Sequence, residues 1–339
     1  MKVSVDIGNM VLGDIAASAQ RYECLGYDIF DTIEARYNPF LPLVLAAEHT
    51  SKISLRTSVA LAFPRSPMIL ASQAWDIQSY SNGRLQLGLG SQVRGHIVRR
   101  FSGTWVPPAP RMREYVQSIR SIWDCWQNGT ELNFQGDYYS FTLMTPHFSP
   151  GPINHPKIPI YISAMNPNML KVAGEICDGV ILHPLCSWKY VHETILPNIK
   201  NGLQKGRTLL SKFDIVVHCF VVLGETNEDL QKARGLVRKR LSFYASTKRY
   251  RPVMAAHGWE DTADKLYSLS LSGQWVAMEN EITDQMIDTF SIIDTPGNIA
   301  ERIEERYGDY ASSVDISLLG WDKGKDEMIK DSIRKVQLI

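Results

Sequence analysis

The sequence lacks the features that would place the chain in a membrane or on a polyanion. No apolar run approaches the ~20 residues that a membrane-spanning helix needs. Positive and negative side chains balance, with 36 Lys and Arg against 36 Asp and Glu. This balance gives no reason to expect nucleic acid or an anionic membrane as a partner. Any attraction to an anion must therefore come from a local cluster.

Cysteine and histidine are scarce and show no metal-binding or redox pattern. The chain has five cysteines, at positions 24, 125, 177, 186 and 219, and no two form a C-x-x-C pair. Its eight histidines show no H-E-x-x-H or other zinc spacing, so no metal site is expected. Cysteines scattered through apolar segments are typical of buried free thiols in a reducing compartment. The amino-terminal run has no apolar segment with a cleavage site either, so we expect a cytoplasmic protein.

Nucleotide-binding signatures are also missing. There is no G-x-x-x-x-G-K-[ST] sequence, which argues against a Walker-type site. The glycines Gly88, Gly90 and Gly95 read G-x-G-x-x-x-x-G, with the last one two positions late for a Rossmann fingerprint. This displacement weighs against a nicotinamide dehydrogenase. Two glycines leaving a strand are more typical of close approach between backbone and a neighbour or a flat ligand.

What the chain does contain is a nearly regular alternation of strand and helix patterns. The predicted strands are 3–8, 27–33, 54–62, 85–90, 158–163, 179–182, 213–223 and 314–319. The predicted helices are 14–25, 39–50, 66–81, 112–127, 167–176, 187–204, 227–246 and 296–307, followed by a short closing helix. This alternation predicts parallel pairing in the α/β class.

A (β/α)8 TIM barrel is the simplest closure, because it removes both sheet edges. An open doubly wound sheet is the alternative. We expect one domain over residues 1–339, since a barrel takes ~250 residues and tolerates insertions. Two excursions interrupt the alternation, at about 130–157 and 247–290.

In a TIM barrel the active site lies at the carboxyl ends of the strands. This rule selects Asp6, Gly8, Glu34, 58–63, 88–96, 163–168 and His183 with Pro184. Asn166 and Pro167 suit the beginning of a helix, whose free backbone N–H groups bind phosphate; an ordinary capped helix explains them too.

Two histidines and a group of arginines fall on the same rim. For His96 and His183 a functional role and a structural one stay open, whereas the other histidines are structural by default. Arg65, Arg94, Arg99 and Arg100 are either solvated or attract a phosphate or carboxylate tail. Most tryptophans have helical spacing and indicate packing.

Several segments together resemble a known family. They are 38–50 (NPFLPLVLAAEHT), 65–68 (RSPM), 83–92 (GRLQLGLGSQ), 173–179 (AGEICDG), 243–247 (FYAST), 250–252 (YRP) and 257–259 (HGW). The chain resembles luciferase-like monooxygenases over essentially its whole length. Within them it resembles oxidoreductases dependent on coenzyme F420.

The resemblance implies a TIM barrel with an isoalloxazine-type ring across its mouth and a cis peptide between Ser58 and Val59 behind the ring. It implies that Glu34 contacts the ring or acts near its hydride-accepting carbon, and that Gly88, Ser91 and His96 line the ring edge. We expect Glu34 and His96 to be the catalytic residues. The strand-end rule and the resemblance together give the expected cofactor-binding positions Asp6, Glu34, Ser58, Val59, Gly88, Ser91, His96, Ala164, Met165, Asn166 and His183. Among these, Met165, Asn166 and His183 match positions on the phosphate side. The family also implies a homodimer.

The chain departs from the sugar-phosphate dehydrogenases of this group. Ala35 and Val93 stand where those enzymes carry a catalytic His and Glu. Sugar-phosphate oxidation by that mechanism is therefore not supported. Proton handling is left to Glu34, His96, Tyr250 or His257, although packing explains the last two equally well. We expect Tyr250, Arg251 and His257 to contact a small-molecule substrate.

Three functions are compatible with these residues. The first is hydride transfer between coenzyme F420 and a small organic substrate, with the protein supplying orientation and electrostatics. The second is an FMN-dependent monooxygenase that receives reduced flavin from a separate reductase; a flavin or F420 reductase is thus a possible partner. The third is a barrel that binds a flavin or deazaflavin without turnover. The arginines after strand four favour a cofactor with a long acidic tail.

Overall fold

Apolar segments with strand periodicity alternate with helices along the part of the chain that the structure, a computed structural model, describes: residues 1–316 and 323–339. The strands are Lys2–Asp6, Ile29–Thr32, Ser54–Thr57, Ala60–Leu61, Leu85–Gly90, Phe134–Gln135, Ser140–Phe141, Ile160–Ser163, Gly179–Leu182, Asp214–Val217, Phe220–Leu223, Ser291–Asp294 and Ser313–Asp315.

The helices lie between these strands and in the two excursions. The α-helices are Leu12–Leu25, Phe40–His49, Pro67–Tyr80, Arg94–Arg99, Pro108–Asn128, Pro167–Ile176, Trp188–Tyr190, Leu196–Gly206, Asn227–Ala245, Arg251–Ala255, Glu260–Leu271, Trp275–Asn280, Asp284–Phe290, Ile299–Tyr307 and Asp326–Gln337. Short 3-10 turns occur at Pro146–Phe148, Leu210–Lys212, Lys248–Tyr250 and Lys323–Lys325, and Val191–Ile195 is a π-helical turn.

Two compact units can be described. The larger unit comprises Asp6–Ile181 and Asn198–Asp214, and the carboxyl-terminal unit comprises Met1–Val5, Leu182–Pro197 and Ile215–Ile339. The expectation of a single domain stays a prediction.

In the larger unit a parallel sheet carries the strand ends that matter for function. Ile29–Thr32 pairs with Ser54–Thr57, and Leu85–Gly90 pairs with Ser54–Thr57, Ala60–Leu61 and Ile160–Ser163. Ile160–Ser163 then pairs with the following strand through Tyr161 and Gly179. Because all pairs are parallel, the carboxyl ends of these strands lie at one edge.

The carboxyl-terminal unit contains further parallel strand pairs and one separate two-stranded sheet. Ser313–Asp315 pairs with Lys2–Asp6 on one side and with Asp214–Val217 on the other. Phe220–Leu223 pairs separately with Ser291–Asp294. The long helix Asn227–Ala245 begins at a capping box, in which Thr226 and Asp229 satisfy each other's backbone N–H groups.

Packing of the helices explains the tryptophans. Trp75 is buried and its ring stacks on Trp123 at 6.2 Å and meets Trp126 edge-on at 5.8 Å. These rings join the helices Pro67–Tyr80 and Pro108–Asn128, so the prediction that they pack is confirmed. All five cysteines are free. Cys24, however, is exposed, and the expectation that the thiols are buried is wrong there.

Two predicted strands are interrupted. The predicted strand 54–62 breaks at residues 58 and 59, where the Ser58–Val59 peptide is cis, as the resemblance predicted. The predicted strand 213–223 breaks at His218 and Cys219. Its second half leaves the first sheet to pair with Ser291–Asp294, which the sequence analysis missed because four residues carry too little pattern.

Smaller differences concern element ends and the excursions. The predicted helix 14–25 begins earlier, at Leu12, with Val11 at the N-cap position and Asp14 in the first turn. The six-residue helix Arg94–Arg99 was not predicted, and the excursion 247–290 is almost entirely helical. Residues 317–319 of the predicted eighth strand lie outside the described residues.

Candidate active site

The break between strands Ser54–Thr57 and Ala60–Leu61 is hydrogen-bonded to the end of strand Ile29–Thr32 and the residues that follow it. The backbone N–H of Ser58 donates to Thr32 O at 2.6 Å, and the N–H of Glu34 donates to Val59 O at 3.3 Å. Glu34 and the Ser58–Val59 peptide, both predicted cofactor-binding positions, therefore lie side by side.

Glu34 is held by an arginine and is not left free at its strand end. Arg65 Nη1 and Nη2 donate to Glu34 Oε2 and Oε1 at 2.7 and 2.8 Å. The backbone N–H of Leu61 also donates to Oε2, at 2.7 Å. The two side chains are only 16% and 11% exposed, for Arg65 and Glu34 respectively. Both carboxylate oxygens are thus engaged in a bidentate, charge-assisted pair, and Glu34 is a fixed anion.

Glycine at position 88 is required by strand packing. A Cβ atom there would lie 2.0 Å from Thr57 O and 2.7 Å from Ile181 Cδ1. Thr57 Oγ1 also donates to Gly88 O at 2.7 Å. At Gly90 a Cβ atom would lie 2.6 Å from Val59 Cγ2. The close backbone approach predicted from the two glycines is confirmed, with protein neighbours on the occupied sides.

The segment after strand Leu85–Gly90 carries polar side chains that are available to a ligand. Among the described residues, the Ser91 hydroxyl forms a hydrogen bond only with Gln92 O, at 3.3 Å. His96 is exposed on the short helix Arg94–Arg99, and within the described residues its ring has no hydrogen-bond partner. Arg100 differs, because its guanidinium donates to Ala35 O at 2.8 Å.

Two further predicted positions begin and end secondary structure elements. Asp6 Oδ1 accepts the backbone N–H of Gly8 at 2.8 Å, which shapes the turn after the first strand. Asn166 is the N-cap of helix Pro167–Ile176, but its side chain makes no capping bond. Ala164 and Met165 precede it and are buried. The Asn166 amide therefore remains available at a helix N-terminus.

In the carboxyl-terminal unit His183 lies among tyrosines. Its ring centroid is 4.4 Å from that of Tyr250 and 4.6 Å from that of Tyr244. Burial, with a smaller effect of His218, lowers the pKa of His183 to about 3. The ring is therefore neutral near pH 7 and offers no positive charge to a phosphate.

The other two predicted substrate residues are bound elsewhere in this unit. Arg251 Nε and Nη2 donate to Asp264 at 2.9 and 2.8 Å, and this exposed pair raises the pKa of Arg251. His257 Nε2 lies 2.7 Å from Ser187 Oγ, and its ring stacks on Trp259 at 4.6 Å. Burial and Lys189 lower the pKa of His257. Of the predicted substrate residues, only Tyr250 contacts His183.

Two contacts of predicted site residues could not be predicted from the sequence. Arg65 was noted as a basic rim residue and is instead the partner of Glu34. Tyr244 falls inside one of the segments that carry the resemblance, yet nothing in its spacing showed that it would contact His183. In the described ranges no group of three or more His, Cys, Asp or Glu could hold a metal ion. None of the described helices is both long and apolar enough to cross a membrane.

Comparison with known proteins found similar sequences over most of the chain. The family model for luciferase-like monooxygenase matches residues 2–313. An uncharacterized protein of Mycobacterium tuberculosis is 42% identical over 306 residues, 90% of each chain. The 5,10-methylenetetrahydromethanopterin reductase of Archaeoglobus fulgidus is 32% identical over 273 residues, which cover 79% of this chain and 77% of that protein.

Solved structures show the fold. The coenzyme F420 dependent tetrahydromethanopterin reductase of Methanopyrus kandleri has a TM-score of 0.80 at 20% identity, over 99% of this chain and 98% of that one. The oxygenating constituent of 3,6-diketocamphane monooxygenase of Pseudomonas putida, in complex with FMN, has a TM-score of 0.65 at 15% identity, over 99% and 97%. The fold is thus the closed eight-stranded parallel barrel with surrounding helices that the sequence predicted.

Proposed function

This chain belongs to the luciferase-like monooxygenase family, and from that premise we propose that it transfers a hydride between coenzyme F420 and a small organic substrate. The observation that carries the proposal is the 32% identity, over 79% of the chain, to a 5,10-methylenetetrahydromethanopterin reductase. The F420 dependent reductase of the same fold, with a TM-score of 0.80, supports the choice of cofactor.

Two polar side chains at predicted cofactor-binding positions are available to bind such a cofactor. The His96 ring and the Asn166 amide have no side-chain hydrogen bond within residues 1–316 and 323–339. Gly88, two residues before the end of strand Leu85–Gly90, adds no side chain there. We assign Gly88, Ser91 and His96 to the ring edge. To the cofactor's side chain and phosphate we assign the start of helix Pro167–Ile176, because a helix N-terminus offers N–H donors to an anion.

The chain's own residues would position the reaction and not perform the redox step. When bound, the deazaflavin supplies the hydride chemistry. Glu34, fixed by Arg65, holds the backbone at Leu61 and thereby the wall that Val59 contributes. His96 is exposed and has no hydrogen-bond partner among the described residues. It is therefore better placed than Glu34, whose two carboxylate oxygens are both engaged, to pass a proton during turnover.

A second candidate function has its own support. The FMN complex of the camphane monooxygenase shares this fold with a TM-score of 0.65. The alternative is therefore an FMN-dependent monooxygenase supplied by a separate flavin reductase. In that case the same rim residues would hold the ring of FMN.

Titration with both cofactors distinguishes the two candidates. We expect saturable quenching of tryptophan fluorescence by F420 and at most weak binding of FMN. His96→Ala should weaken F420 binding about fivefold through loss of one hydrogen bond. His49→Ala, which removes an exposed histidine at the end of helix Phe40–His49, is the matched control and should leave F420 binding unchanged. Tight FMN binding without F420 binding would overturn the proposal in favour of the monooxygenase.

We further propose a homodimer. Leu41, Val44 and Ile69 are 53%, 40% and 56% exposed on two helices that contact each other, Phe40–His49 and Pro67–Tyr80. Exposed apolar side chains on neighbouring helices support the proposal, because apolar surface that faces solvent is often covered by a partner. Sedimentation equilibrium should give twice the 38.3 kDa of the chain; a value of one chain mass would contradict the dimer.

A further inference from the structure

An aromatic cluster in the carboxyl-terminal unit surrounds a half-buried histidine. The ring of Tyr250 lies tilted against His183 at 4.4 Å, and the ring of Tyr244 meets His183 edge-on at 4.6 Å. Phe220 stacks against Tyr244 at 6.2 Å, with ring planes 28° apart. The cluster consists of His183, Phe220, Tyr244 and Tyr250.

The hydrogen bond that His183 accepts shows which of its ring nitrogens can donate a hydrogen bond to a ligand. The backbone N–H of Leu185 points at His183 Nδ1 from 3.1 Å. An N–H group can only donate, so Nδ1 accepts, and the proton of the neutral ring is on Nε2. In the parts of the chain that the structure describes, neither Nε2 of His183 nor the hydroxyl of Tyr250 has a hydrogen-bond partner. The cluster thus holds two uncommitted donors.

Both donors are uncharged. Burial and the nearby His218 lower the pKa of His183 to about 3, and burial raises the pKa of Tyr250, so neither group ionises near pH 7. Two cations near Tyr250 in the sequence are engaged elsewhere: Arg251 pairs with Asp264, and the Lys248 ammonium lies 4.3 Å over the ring of Tyr267.

This chemistry selects against anions. A carboxylate or phosphate that entered the cluster would lose hydration without meeting a positive charge, which is strongly unfavourable. A carbonyl oxygen needs only the two hydrogen bonds that His183 and Tyr250 can donate, and the aromatic rings suit an apolar body beside it.

We propose that His183 and Tyr250 form a binding site for an uncharged carbonyl oxygen of the substrate, with His183 Nε2–H and the Tyr250 hydroxyl as donors. That this ligand is the substrate of the enzyme rests on the proposed function. The preference of the site for an uncharged carbonyl compound over an anion does not depend on it. The site predicts that uncharged, largely apolar carbonyl compounds bind in preference to carboxylates and phosphate esters.

Acetophenone and benzoate are suitable probes, because they share a ring and differ in charge. Long-range 1H–15N correlation spectra of the wild-type chain should show His183 as the Nε2–H tautomer from pH 6 to 8. Acetophenone should shift the His183 resonances saturably, and benzoate should bind at least about tenfold more weakly, since it must shed hydration. An imidazolium at pH 6, or benzoate binding as tightly as acetophenone, would overturn the proposal.

Variants that keep the rings test the two donors. His183→Phe and Tyr250→Phe should each weaken acetophenone binding about fivefold, which is the usual effect of one lost hydrogen bond. Tyr267→Phe removes a hydroxyl elsewhere in the same unit and should leave binding unchanged. Unchanged acetophenone affinity in both cluster variants would refute the site, and the wild-type spectra decide the matter if a variant does not fold.

Titration of the same proteins with F420 separates this inference from the proposed function. F420 binding without any preference for acetophenone over benzoate would remove the carbonyl site alone. Selective acetophenone binding without F420 binding would support the site and remove the proposed hydride transfer.

Discussion

Replacing Arg65 by methionine should reveal how strongly the predicted active-site acid depends on its partner. The substitution keeps much of the apolar stem and removes the guanidinium that donates to Glu34 at 2.7 and 2.8 Å. Glu34 would be left with the single N–H of Leu61. Because its side chain is only 11% exposed, water replaces the lost donors poorly.

The magnitude follows from burial. Removing one partner of a buried pair costs about 3–5 kcal/mol, whereas an exposed pair contributes about 0–1 kcal/mol. Because the side chains of the Glu34–Arg65 pair are mostly buried, the value for a buried pair applies. We therefore expect Arg65→Met to lower the free energy of unfolding by about 3 kcal/mol. Combined with Glu34→Gln, the loss should be about 2 kcal/mol smaller than the sum of the single losses, because the double variant leaves no buried unpaired charge.

Urea unfolding followed by tryptophan fluorescence is the appropriate assay, since urea does not screen ion pairs as guanidinium chloride does. Arg251→Met is the matched control: it breaks an equally bidentate pair with Asp264 whose side chains are 44% and 57% exposed. Its urea midpoint should stay at the wild-type value. A loss below about 1 kcal/mol for Arg65→Met, or additive single effects, would refute the argument from burial.

Two further predictions concern the strand end and the response to acid. Gly88→Ala should destabilise the chain by more than about 2 kcal/mol because the new Cβ would lie 2.0 Å from Thr57 O. Gly235→Ala, in a helix with nothing within 4 Å, should stabilise it by about 1 kcal/mol in the same urea assay, and similar effects of both would contradict the packing argument. For Glu23, burial alone would raise the pKa, but the backbone N–H groups of residues 51–53 and Arg84 lower it below its ordinary 4.5. The stabilisation that ionised Glu23 gives the folded state is therefore present above about pH 4.5 and is lost as the pH falls through the lowered pKa. Between pH 7 and 3, Glu23→Gln should thus lose less free energy of unfolding than the wild type does. Equal losses would disprove this prediction.

The sequence by itself determined the kind and order of most elements. The bounds of Leu85–Gly90, Pro167–Ile176 and Gly179–Leu182 agree with the prediction to the residue. Strand and helix periodicity and the proline at a helix start are local signals that act within a few residues, so they can be read along the chain. The family resemblance added the cis peptide at Ser58–Val59 and the expectation that the rim residues bind a cofactor ring.

Only the tertiary structure decided which groups are committed and which are free. Glu34 and Arg65 are 31 positions apart, and neither local pattern shows that their side chains pair. The same holds for His183: burial and His218 lower its pKa, and the rings of Tyr244 and Tyr250 pack against it, which its sequence neighbours do not show. Contacts of this kind depend on how distant segments pack and on the burial that results. The charge and hydrogen-bonding state of each site residue follows from that packing and not from its neighbours in sequence.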